Sequence, residues 1–487
     1  MKILMLNPPF FSKYSRFSRS PAVTKSGTIY YPIWHAYATG VLEDAGHEVK
    51  LIDACADGLK REDCYGIVKS FSPAMVVVFT STPSIENDVQ VAGEIKGILP
   101  DIFVVLTGPH VSALPEDSLN LDQRVDAVAR REYDMTLLEL AETLPDRTKL
   151  SKVRGLVFRS HDKLVATPDR EFIEDLDSLP FVSEVYKKHL KINNYFYAHC
   201  RWPVISIFTS RGCYARCTYC VYPQQMFGRR QRQRTPENIV AEFEYIVKEL
   251  PEVKEVLIDD DTFSFHQEHT QKFCQLMIDH KIKLPWTVEC RANLSYETMV
   301  MMKEAGCRLI VVGFESADEE ILRNINKGIT LGAMCRFVAD AKRAKVMIHS
   351  CFMAGNKGET KETLIKSLKF AKEINADTCQ FFPLMVYPGT EAYQWAKKQG
   401  YLKANTFRQW LTDEGLHNCV VSTPQLSAQD LVDFCDYSRR SYYLSPKYLF
   451  YKFFQVLRNP QEVQKTFKTA KIFFKYLFRR SKKGCAR

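Results

Sequence analysis

Short runs of apolar residues, each followed by polar or turn-forming residues, recur through the first third of the chain. Each run has the length of a buried strand, and the runs cover 2–7, 48–53, 74–80, 102–107 and 125–129. Helical stretches separate them, as at 31–45 and 88–99. Strands that alternate with helices in this way predict an α/β fold with a Rossmann-like, doubly wound parallel sheet.

A second series of apolar runs fills the C-terminal half, and helical stretches again separate the runs. The series covers 203–208, 255–259, 286–290, 308–313, 346–352 and 378–383. Six strand–helix units in succession predict a second parallel sheet, of the barrel type. A short hairpin is predicted between the two series, at 155–167.

The length of the chain supports this division. A chain of 487 residues exceeds what one compact core normally holds. The segments we expect are a Rossmann-like domain, a connector, a barrel and a helical C-terminal region with a basic aromatic tail, at 1–145, 146–203, 204–400 and 401–487. A hydrophobic fraction of 46% and a charged fraction of 25% are typical of soluble globular proteins.

Cysteine usage indicates a reducing compartment. The 15 cysteines are scattered and odd in number, and apart from one trio they form no disulfide framework. The apolar start is too short for a signal peptide, and no apolar run has the length of a membrane span. We therefore expect a cytoplasmic protein.

The cysteine trio follows the run 203–208 and consists of Cys213, Cys217 and Cys220. Thiolates select zinc, copper or iron–sulfur clusters, and a cluster normally takes four of them. Three thiols so close together, with no fourth Cys or His nearby, indicate a cluster with one iron left open, because a structural zinc site needs a second close pair. The alternative is that the three thiols are buried as small apolar side chains, but Arg211 and Arg216 make the loop polar.

With Tyr219 directly before the last cysteine, the loop matches C-x3-C-x-aromatic-C, and the chain resembles the radical S-adenosylmethionine (SAM) superfamily. The resemblance implies a [4Fe–4S] cluster on the three cysteines and an open, partial (β/α)6 barrel of the TIM type. It also implies that SAM chelates the open iron and that a flavodoxin or ferredoxin-type donor supplies one electron. Cleavage of SAM then gives a 5′-deoxyadenosyl radical, which abstracts hydrogen from an unactivated carbon.

Polar residues follow the second, third and fourth strands of the barrel series. By resemblance these strand ends line the SAM pocket, with Glu289 as the ribose contact and Arg291 as the partner of the SAM carboxylate. The candidate SAM contacts are Tyr219, Asp259, Asp261, Glu289, Arg291 and Glu315. The alternative is that the two aspartates cap a solvated turn and that Glu315 is structural.

The strand ends of the N-terminal sheet form a second candidate site, because parallel sheets bind ligands beyond the carboxyl ends of their strands. The candidate residues there are Thr80, Ser81, Thr82, Gly108, Pro109, His110 and, further along, Glu132. This half resembles the cobalamin-binding domain that precedes many radical SAM cores, in its segments NPP at 7–9, GHEV at 46–49, TGPH at 107–110 and REYD at 131–134.

The chain departs from other cobalamin-binding proteins at their cobalt ligand. Where those proteins have the histidine of D-x-H-x-x-G, the similar string from Asp53 to Gly58 has Cys55. We therefore expect no histidine from the protein below the cobalt. The alternative is a Rossmann-like domain that has lost its ligand or binds another.

The last 50 residues, 438–487, are rich in Lys, Arg, Phe and Tyr, as at 447–454 and 471–480, and contribute to the net charge of +10. Aromatic and basic residues at helical spacing are typical of a helix that lies on an anionic membrane surface. A peripheral contact with the inner face of the membrane is therefore one expectation, and helices that pack on the barrel are the alternative. No nucleic-acid module is recognisable, so we expect no nucleic-acid partner.

Over residues 1 to about 460 the chain resembles the cobalamin-domain radical SAM proteins associated with hopanoid biosynthesis, for example at 79–83, 220–224 and 259–263. The leading hypothesis is therefore hydrogen abstraction that remodels a lipid-linked or similar polyol substrate, in lipid biosynthesis. The alternatives are a cobalamin-dependent C-methyltransferase acting on a small molecule or lipid, and a non-catalytic iron–sulfur electron carrier. Methyl transfer would release S-adenosylhomocysteine and 5′-deoxyadenosine, rearrangement only 5′-deoxyadenosine, and an electron carrier neither.

Overall fold

A computed structural model describes residues 1–161 and 163–458 of the chain. Seven strands form its N-terminal sheet: β1 (Lys2–Asn7), β2 (Glu48–Asp53), β3 (Met75–Phe79), β4 (Phe103–Thr107), β5 (Ala127–Ala129), β6 (Leu156–Ser160) and β7 (Lys163–Ala166). Their order is β2-β1-β3-β4-β5-β6-β7, and the first five run parallel. The accompanying helices are α1 (Ile33–Asp44), α2 (Ala54–Asp57), α3 (Arg61–Phe71), α4 (Ile85–Ile98), α5 (Pro109–Ala113), α6 (Pro115–Asn120) and α7 (Asp134–Thr143).

Helices cover both faces of this sheet, which explains why its central strand β3 is apolar and buried at every position. Successive side chains of a strand point to opposite faces. Met5 and Val77 accordingly belong to a core that includes α1, whereas Leu6 and Val78 belong to a second core beneath α3 and α4. Burial on both sides is the expected environment of a parallel sheet, and the doubly wound fold predicted from the sequence is confirmed.

The predicted hairpin between the two halves of the chain forms, but it belongs to the N-terminal sheet. β6 pairs antiparallel with β5, and β7 pairs antiparallel with β6. The sheet therefore continues to Ala166, beyond the boundary at residue 145 that the sequence suggested. The pairing follows from the apolar side chains of Leu156 and Phe158, which complete the core on the α1 side.

The C-terminal half contains an open six-stranded parallel sheet, which confirms the partial barrel. After α8 (Val182–His189), its strands and those of a small ribbon follow in chain order: β8 (Val204–Ile207), β9 (Ser210–Arg211), β10 (Arg232–Gln233), β11 (Glu255–Ile258), β12 (Trp286–Cys290), β13 (Cys307–Glu315), β14 (Met347–Ala354) and β15 (Thr378–Pro383). The barrel order is β15-β14-β13-β12-β11-β8, and β9 and β10 form the ribbon. The carboxyl ends of the parallel strands therefore meet at one rim.

Helices wrap the outside of this sheet and extend past it. They are α9 (Val221–Gln225), α10 (Pro236–Glu249), α11 (Gln267–Asp279), α12 (Tyr296–Glu304), α13 (Glu319–Asn324), α14 (Leu331–Arg343), α15 (Lys361–Ile374), α16 (Glu391–Lys398), α17 (Ala428–Tyr443) and α18 (Pro446–Arg458). Among the described helices none is long and apolar enough to cross a membrane.

The beginning of the predicted basic aromatic tail is described, and it is helical. Tyr443 of α17 donates to the carbonyl oxygen of Cys379 at 2.8 Å, and Tyr448 of α18 donates to that of Asp377 at 3.1 Å. One face of this region therefore packs on the barrel. The other face of α18 exposes Phe450 and Phe453, while the predicted segment 471–480 lies outside the described residues.

Candidate functional site

The cysteine loop leaves the barrel at the end of β8, where a carboxylate fixes its first residues. Asp260, which follows β11, accepts hydrogen bonds from the backbone NH groups of Thr209 and Ser210 at 2.7 and 3.1 Å. It also accepts from their hydroxyl groups at 2.6 and 2.7 Å. Burial raises the pKa of Asp260 to about 6, and these four donors oppose that rise because they favour the charged form.

The three cysteines lie together in this loop. Cys213 and Cys217 are buried, Cys220 is half-buried, and all three thiols are free. With Tyr219 they form a separate cluster of side chains at the rim of the barrel. Burial raises the pKa of Cys213 to about 11 and that of Cys220 well above its usual value. Thiols in such surroundings become thiolates only when a metal binds them, because coordination removes the proton.

The donor set fits an iron–sulfur cubane better than a single ion. Within the described part of the chain, no three His, Cys, Asp or Glu side chains converge closely enough to hold one metal ion. A cubane does not need such convergence, since each thiolate binds a different iron atom. Three free thiols lie together, with no fourth beside them among the described residues, which matches a [4Fe–4S] cluster with one iron open to another ligand.

Tyr219 is held in place by a buried ion pair. Its hydroxyl donates to Oε1 of Glu315 at 3.0 Å, and Nζ of Lys327 lies 2.8 Å from the same oxygen. Oε2 of Glu315 is buried without a hydrogen-bond partner among the described residues, and its backbone has a left-handed φ of 65°. An unsatisfied carboxylate oxygen on a strained residue beside the cysteines suits a polar ligand such as SAM.

Arg291 lies directly over the cysteine loop. Its Nη1 is 3.8 Å from the sulfur of Cys217, its guanidinium lies 5.7 Å from the ring centre of Tyr214, and its Nη2 donates to the carbonyl oxygen of Lys327. The guanidinium is therefore close to the cysteines that would hold the cluster. This position is compatible with the carboxylate role predicted for Arg291, which stays a prediction.

The remaining SAM candidates surround one arginine from the N-terminal domain. Nη1 of Arg19 lies 2.6 Å from Oδ1 of Asp259 and 3.0 Å from Oε2 of Glu289, and Nη2 lies 3.7 Å from Oδ1 of Asp261. Burial raises the pKa of all three carboxyl groups, that of Glu289 to about 8, and Arg19 opposes the rise. These three acids outnumber the one cation, so Arg19 alone cannot balance their negative charge.

The strand ends of the N-terminal sheet are buried beneath other parts of the chain. Thr80 donates to the carbonyl oxygen of Thr107 at 2.8 Å, and the hydroxyl groups of Ser81 and Tyr14 lie 2.9 Å apart. The backbone of Gly108 approaches that of Thr80 so closely that a Cβ atom would lie 2.5 Å from the carbonyl oxygen of Thr80. These hydroxyl groups and close backbones suit the amide side chains of cobalamin. Phe17, whose ring stacks on that of Phe79 at 3.9 Å between centres, covers part of the same edge.

His110 is not placed as a metal ligand. Its Nδ1 lies 3.1 Å from Oγ1 of Thr82, and its ring packs edge-on against Phe407 at 4.7 Å between centres. Burial lowers the pKa of His110 to about 3, so the ring is neutral. Pro109, beside it, begins α5. That no histidine of the protein lies below the cobalt stays a prediction.

Glu132 joins the two halves of the chain instead of facing the strand ends. Its Oε1 lies 2.7 Å from Nη1 of Arg211, and its Oε2 lies 2.7 Å from Nη1 of Arg232. These two arginines are paired with each other across the β9–β10 ribbon. Asp134 adds a second carboxylate, 2.8 Å from Arg211. Both oxygens of Glu132 are thus used in ion pairs, and its assignment as a cobalamin contact stays a prediction.

Sequence reasoning missed Arg19, although it contacts three of the predicted SAM residues. Arg19 lies in an irregular segment, 240 residues before Asp259, and no periodic pattern surrounds it. The available signal was the cluster of acids itself, because buried carboxylates require a cation from elsewhere in the fold.

Comparison with known proteins agrees with both halves of this arrangement. The pattern of the radical SAM superfamily matches residues 207–371, and that of the B12 binding domain matches residues 19–141. The chain is 30% identical to an uncharacterized methyltransferase of Pyrococcus horikoshii over 456 residues. The aligned region covers 93% of this chain and 95% of that protein. It is 24% identical to the hopanoid C-3 methylase of Methylococcus capsulatus, over 74% of this chain and 67% of that one.

Solved structures show the same fold over both halves. The radical SAM methyltransferase TsrM of Kitasatospora setae, with tryptophan and a SAM analogue bound, superposes with a TM-score of 0.69 at 18% identity, over 91% of this chain and 90% of that chain. A second TsrM structure, with cobalamin and a [4Fe–4S] cluster bound, gives a TM-score of 0.67 at 17% identity, over 92% and 89% of the two chains. The similarity therefore includes the arrangement of the two domains.

Proposed function

Because this chain belongs to the radical SAM proteins that carry a B12-binding domain, we propose that it is a cobalamin-dependent C-methyltransferase. The observation that supports this most is the similarity to a methyltransferase over nearly the full length of both chains. The hopanoid C-3 methylase is a second relative with a methylating activity in its name. These relatives favour methyl transfer over the remodelling of a lipid-linked or polyol substrate by hydrogen abstraction alone.

The residues divide into those that would hold each group. Cys213, Cys217 and Cys220 would hold the cluster, and the strand ends after β3 and β4 would hold cobalamin. When bound, the cluster supplies the electron that cleaves SAM, and cobalamin carries the methyl group. The protein contributes position, burial and charge to this chemistry.

Burial is the first of these contributions. Asp260 anchors the cysteine loop with four hydrogen bonds, and the ion pairs of Glu132 hold the N-terminal domain against the same loop. A closed site excludes water and other groups that would intercept a radical. The same ion pairs join the N-terminal domain to the β9–β10 ribbon, which carries the start of the cysteine loop.

Charge is the second contribution. Lys327 and Arg291 place two cations beside the cysteines, while Glu315 offers an unsatisfied oxygen. SAM carries a carboxylate, an amino group and ribose hydroxyl groups, so cations and carboxylates together can fix its orientation. We infer that these side chains, with the acids around Arg19, orient SAM for cleavage.

Product analysis tests the proposal. Anaerobically reconstituted protein is incubated with methyl-labelled SAM, a reduced flavodoxin or ferredoxin-type donor, and a lipid or small-molecule extract. We expect labelled product with both S-adenosylhomocysteine and 5′-deoxyadenosine, and none of the three with a Cys213→Ala/Cys217→Ala/Cys220→Ala variant. Formation of 5′-deoxyadenosine alone would establish hydrogen abstraction without methylation, and formation of neither nucleoside would indicate an electron carrier.

A further inference from the structure

A cavity of about 380 Å³ lies next to the candidate site, and its lining includes none of the candidate cluster, SAM or cobalamin residues. Its walls come from the N-terminal segment 23–30, the strands β14 and β15, and the helices α17 and α18. Ligand cavities for small molecules have volumes of this order. The cavity is therefore large enough for part or all of an organic substrate.

The segment that forms one wall leads directly to the predicted SAM site. Arg19 binds the acids at the barrel rim, and the next residue, Ser20, contacts Nε2 of His417 at 2.9 Å in the wall of the cavity. Further along, Tyr30 lines the cavity. Burial and the nearby carboxylates of Asp259 and Glu289 raise the pKa of the Tyr30 phenol well above its usual value. Tyr30, in the wall of the cavity, is therefore near the carboxylates that surround Arg19.

One side of the cavity is apolar. Phe382 of β15 and Val432 of α17 face it, and Leu444, Tyr448 and Leu449 continue this surface at the junction of α17 and α18. Leu444 is 44% exposed and Leu449 is 52% exposed, so the apolar wall reaches the outside of the protein. An apolar chain or ring could therefore enter from this junction.

The other side carries surplus positive charge. Nζ of Lys25 lies 2.6 Å and Nη1 of Arg439 lies 2.7 Å from the same oxygen, Oδ1 of Asp436. Two cations therefore share one carboxylate. Burial, and next the charge of Arg439, lower the pKa of Lys25.

We propose that this cavity binds the substrate, and that the substrate is amphipathic. Its apolar body would lie along Val432 and Leu444, and an anionic group, carboxylate or phosphate, would bind Lys25 and Arg439. An anion there completes the pairing of the two cations and adds charge-assisted hydrogen bonds. That the ligand is the substrate, and not another effector, rests on the proposed methyltransferase function.

Binding of simple amphiphiles tests the proposal without any turnover. The reconstituted protein is titrated by calorimetry with decyl phosphate, butyl phosphate, decanol and inorganic phosphate, each below its aggregation concentration. We expect decyl phosphate to bind with one site per chain and at least about tenfold more tightly than the other three, because only it supplies both parts. If butyl phosphate binds as tightly as decyl phosphate, the apolar part of the ligand does not contribute and an amphipathic ligand is contradicted. If decanol binds as tightly as decyl phosphate, the anionic group does not contribute and the proposal is contradicted as well.

Variants then locate the binding site. Arg439→Gln should weaken decyl phosphate binding by at least about tenfold, and Arg439→Lys should restore part of the affinity because it keeps the charge. Arg440→Gln, the next position on α17, lies outside the lining of the cavity and should leave the affinity unchanged. Val432→Trp should block the apolar side while the charge pair stays in place. Unchanged affinity in both Arg439→Gln and Val432→Trp would overturn the proposal.

The two proposals fail separately. If decyl phosphate binds as described but labelled SAM gives no methylated product, the cavity stands as a binding site and methyl transfer fails. If methylated product forms at the wild-type rate in Arg439→Gln and Val432→Trp, methyl transfer stands and the cavity is not the substrate site. Unchanged melting temperatures in the variants confirm that they fold.

Discussion

Nη1 of Arg19 lies 2.6 Å from Oδ1 of Asp259, which joins an N-terminal loop to the rim of the barrel. The contact places a half-buried cation among three carboxyl groups, and it opposes the rise in pKa that burial causes in each of them. The predicted SAM residues of the barrel are thus ion-paired with a residue of the domain that precedes it. The charge state of the site is therefore a property of both domains.

Removal of Arg19 should make stability depend strongly on pH. In Arg19→Ala the three carboxyl groups lose their cation, so their pKa values rise further and the folded state holds protons that the unfolded state releases. Stability from these groups is then present at low pH and lost as the pH rises toward the folded pKa values. We expect a loss of about 3 kcal/mol in the free energy of unfolding at pH 8 and a smaller loss at pH 5.5.

Urea denaturation at the two pH values measures this difference. Lys13→Ala, an exposed position in the same segment, is the matched control and should change stability by less than about 0.5 kcal/mol. An equal loss at pH 5.5 and pH 8 in Arg19→Ala would contradict the electrostatic explanation.

The cysteine trio should account for all the iron. Reconstituted protein should contain about four iron atoms per chain, as expected for one cubane. Replacement of Cys213, Cys217 and Cys220 by Ala should remove the iron and SAM cleavage together, whereas replacement of the exposed Cys335 should change neither. Iron analysis and the charge-transfer absorption measure the cluster. Iron retained at that level in the triple variant would contradict the assignment.

Glu132 should act on stability more than on cobalamin content. Glu132→Ala leaves Arg211 with only Asp134 and removes the carboxylate partner from Arg232, both in buried positions. Breaking a buried pair in this way should cost about 3 kcal/mol in the free energy of unfolding. Glu142→Ala, exposed on α7, is the control. If Glu132→Ala instead leaves stability unchanged and lowers the cobalamin content per folded chain, the original assignment as a cobalamin contact is correct.

Bound cobalamin should have no histidine ligand from the protein. His110 is engaged with Thr82 and Phe407, and the sequence contains no D-x-H-x-x-G string. The EPR spectrum of the reduced cobalt form should therefore lack nitrogen splitting from a protein imidazole, and His110→Asn should not alter it. Imidazole splitting that disappears in His110→Asn would show that the ring turns toward the cobalt when cobalamin binds.

The sequence predicts what depends on local pattern and misses what depends on distant contacts. β1, β2, β12 and β15 have the predicted bounds because each is a short segment with several apolar residues whose ends are visible in the local sequence. The cysteine spacing locates the cluster loop for the same reason. Arg16 and Arg19, by contrast, lie in an irregular segment, and their ion pairs form with Asp88 and Asp259, acids that only the fold brings to them. A charge in a loop normally indicates solvent, so no local rule predicts that Arg16 is buried and Arg19 half-buried.

The exposed face of α18 presents large apolar side chains without cover among the described residues. Phe450 is 68% exposed, and Phe453 and Leu457 are each 61% exposed. Exposed apolar surface of this kind next to Lys447 and other basic residues is typical of a helix that binds an anionic membrane. The membrane contact expected from the sequence stays a prediction, and α18 now supplies specific residues with which to examine it.

Phe450→Ser/Phe453→Ser should weaken binding to vesicles that contain phosphatidylglycerol by at least about tenfold, because each phenylalanine loses part of the 1.5–3 kcal/mol that full burial of such a side chain typically contributes. Wild-type binding should also fall as salt is raised, since the Debye length is only about 8 Å at physiological ionic strength. Vesicle sedimentation measures both effects.

Leu121→Ser, which changes a side chain 51% exposed in the N-terminal domain, is the matched control and should bind like the wild type. Cluster content and SAM cleavage should stay unchanged in the double variant, because the two phenylalanines are exposed side chains of α18 and α18 is hydrogen-bonded to Asp377, just before β15. Vesicle binding that survives in the double variant would assign the membrane contact to another surface, and binding that is insensitive to both lipid charge and salt would contradict an electrostatic contribution.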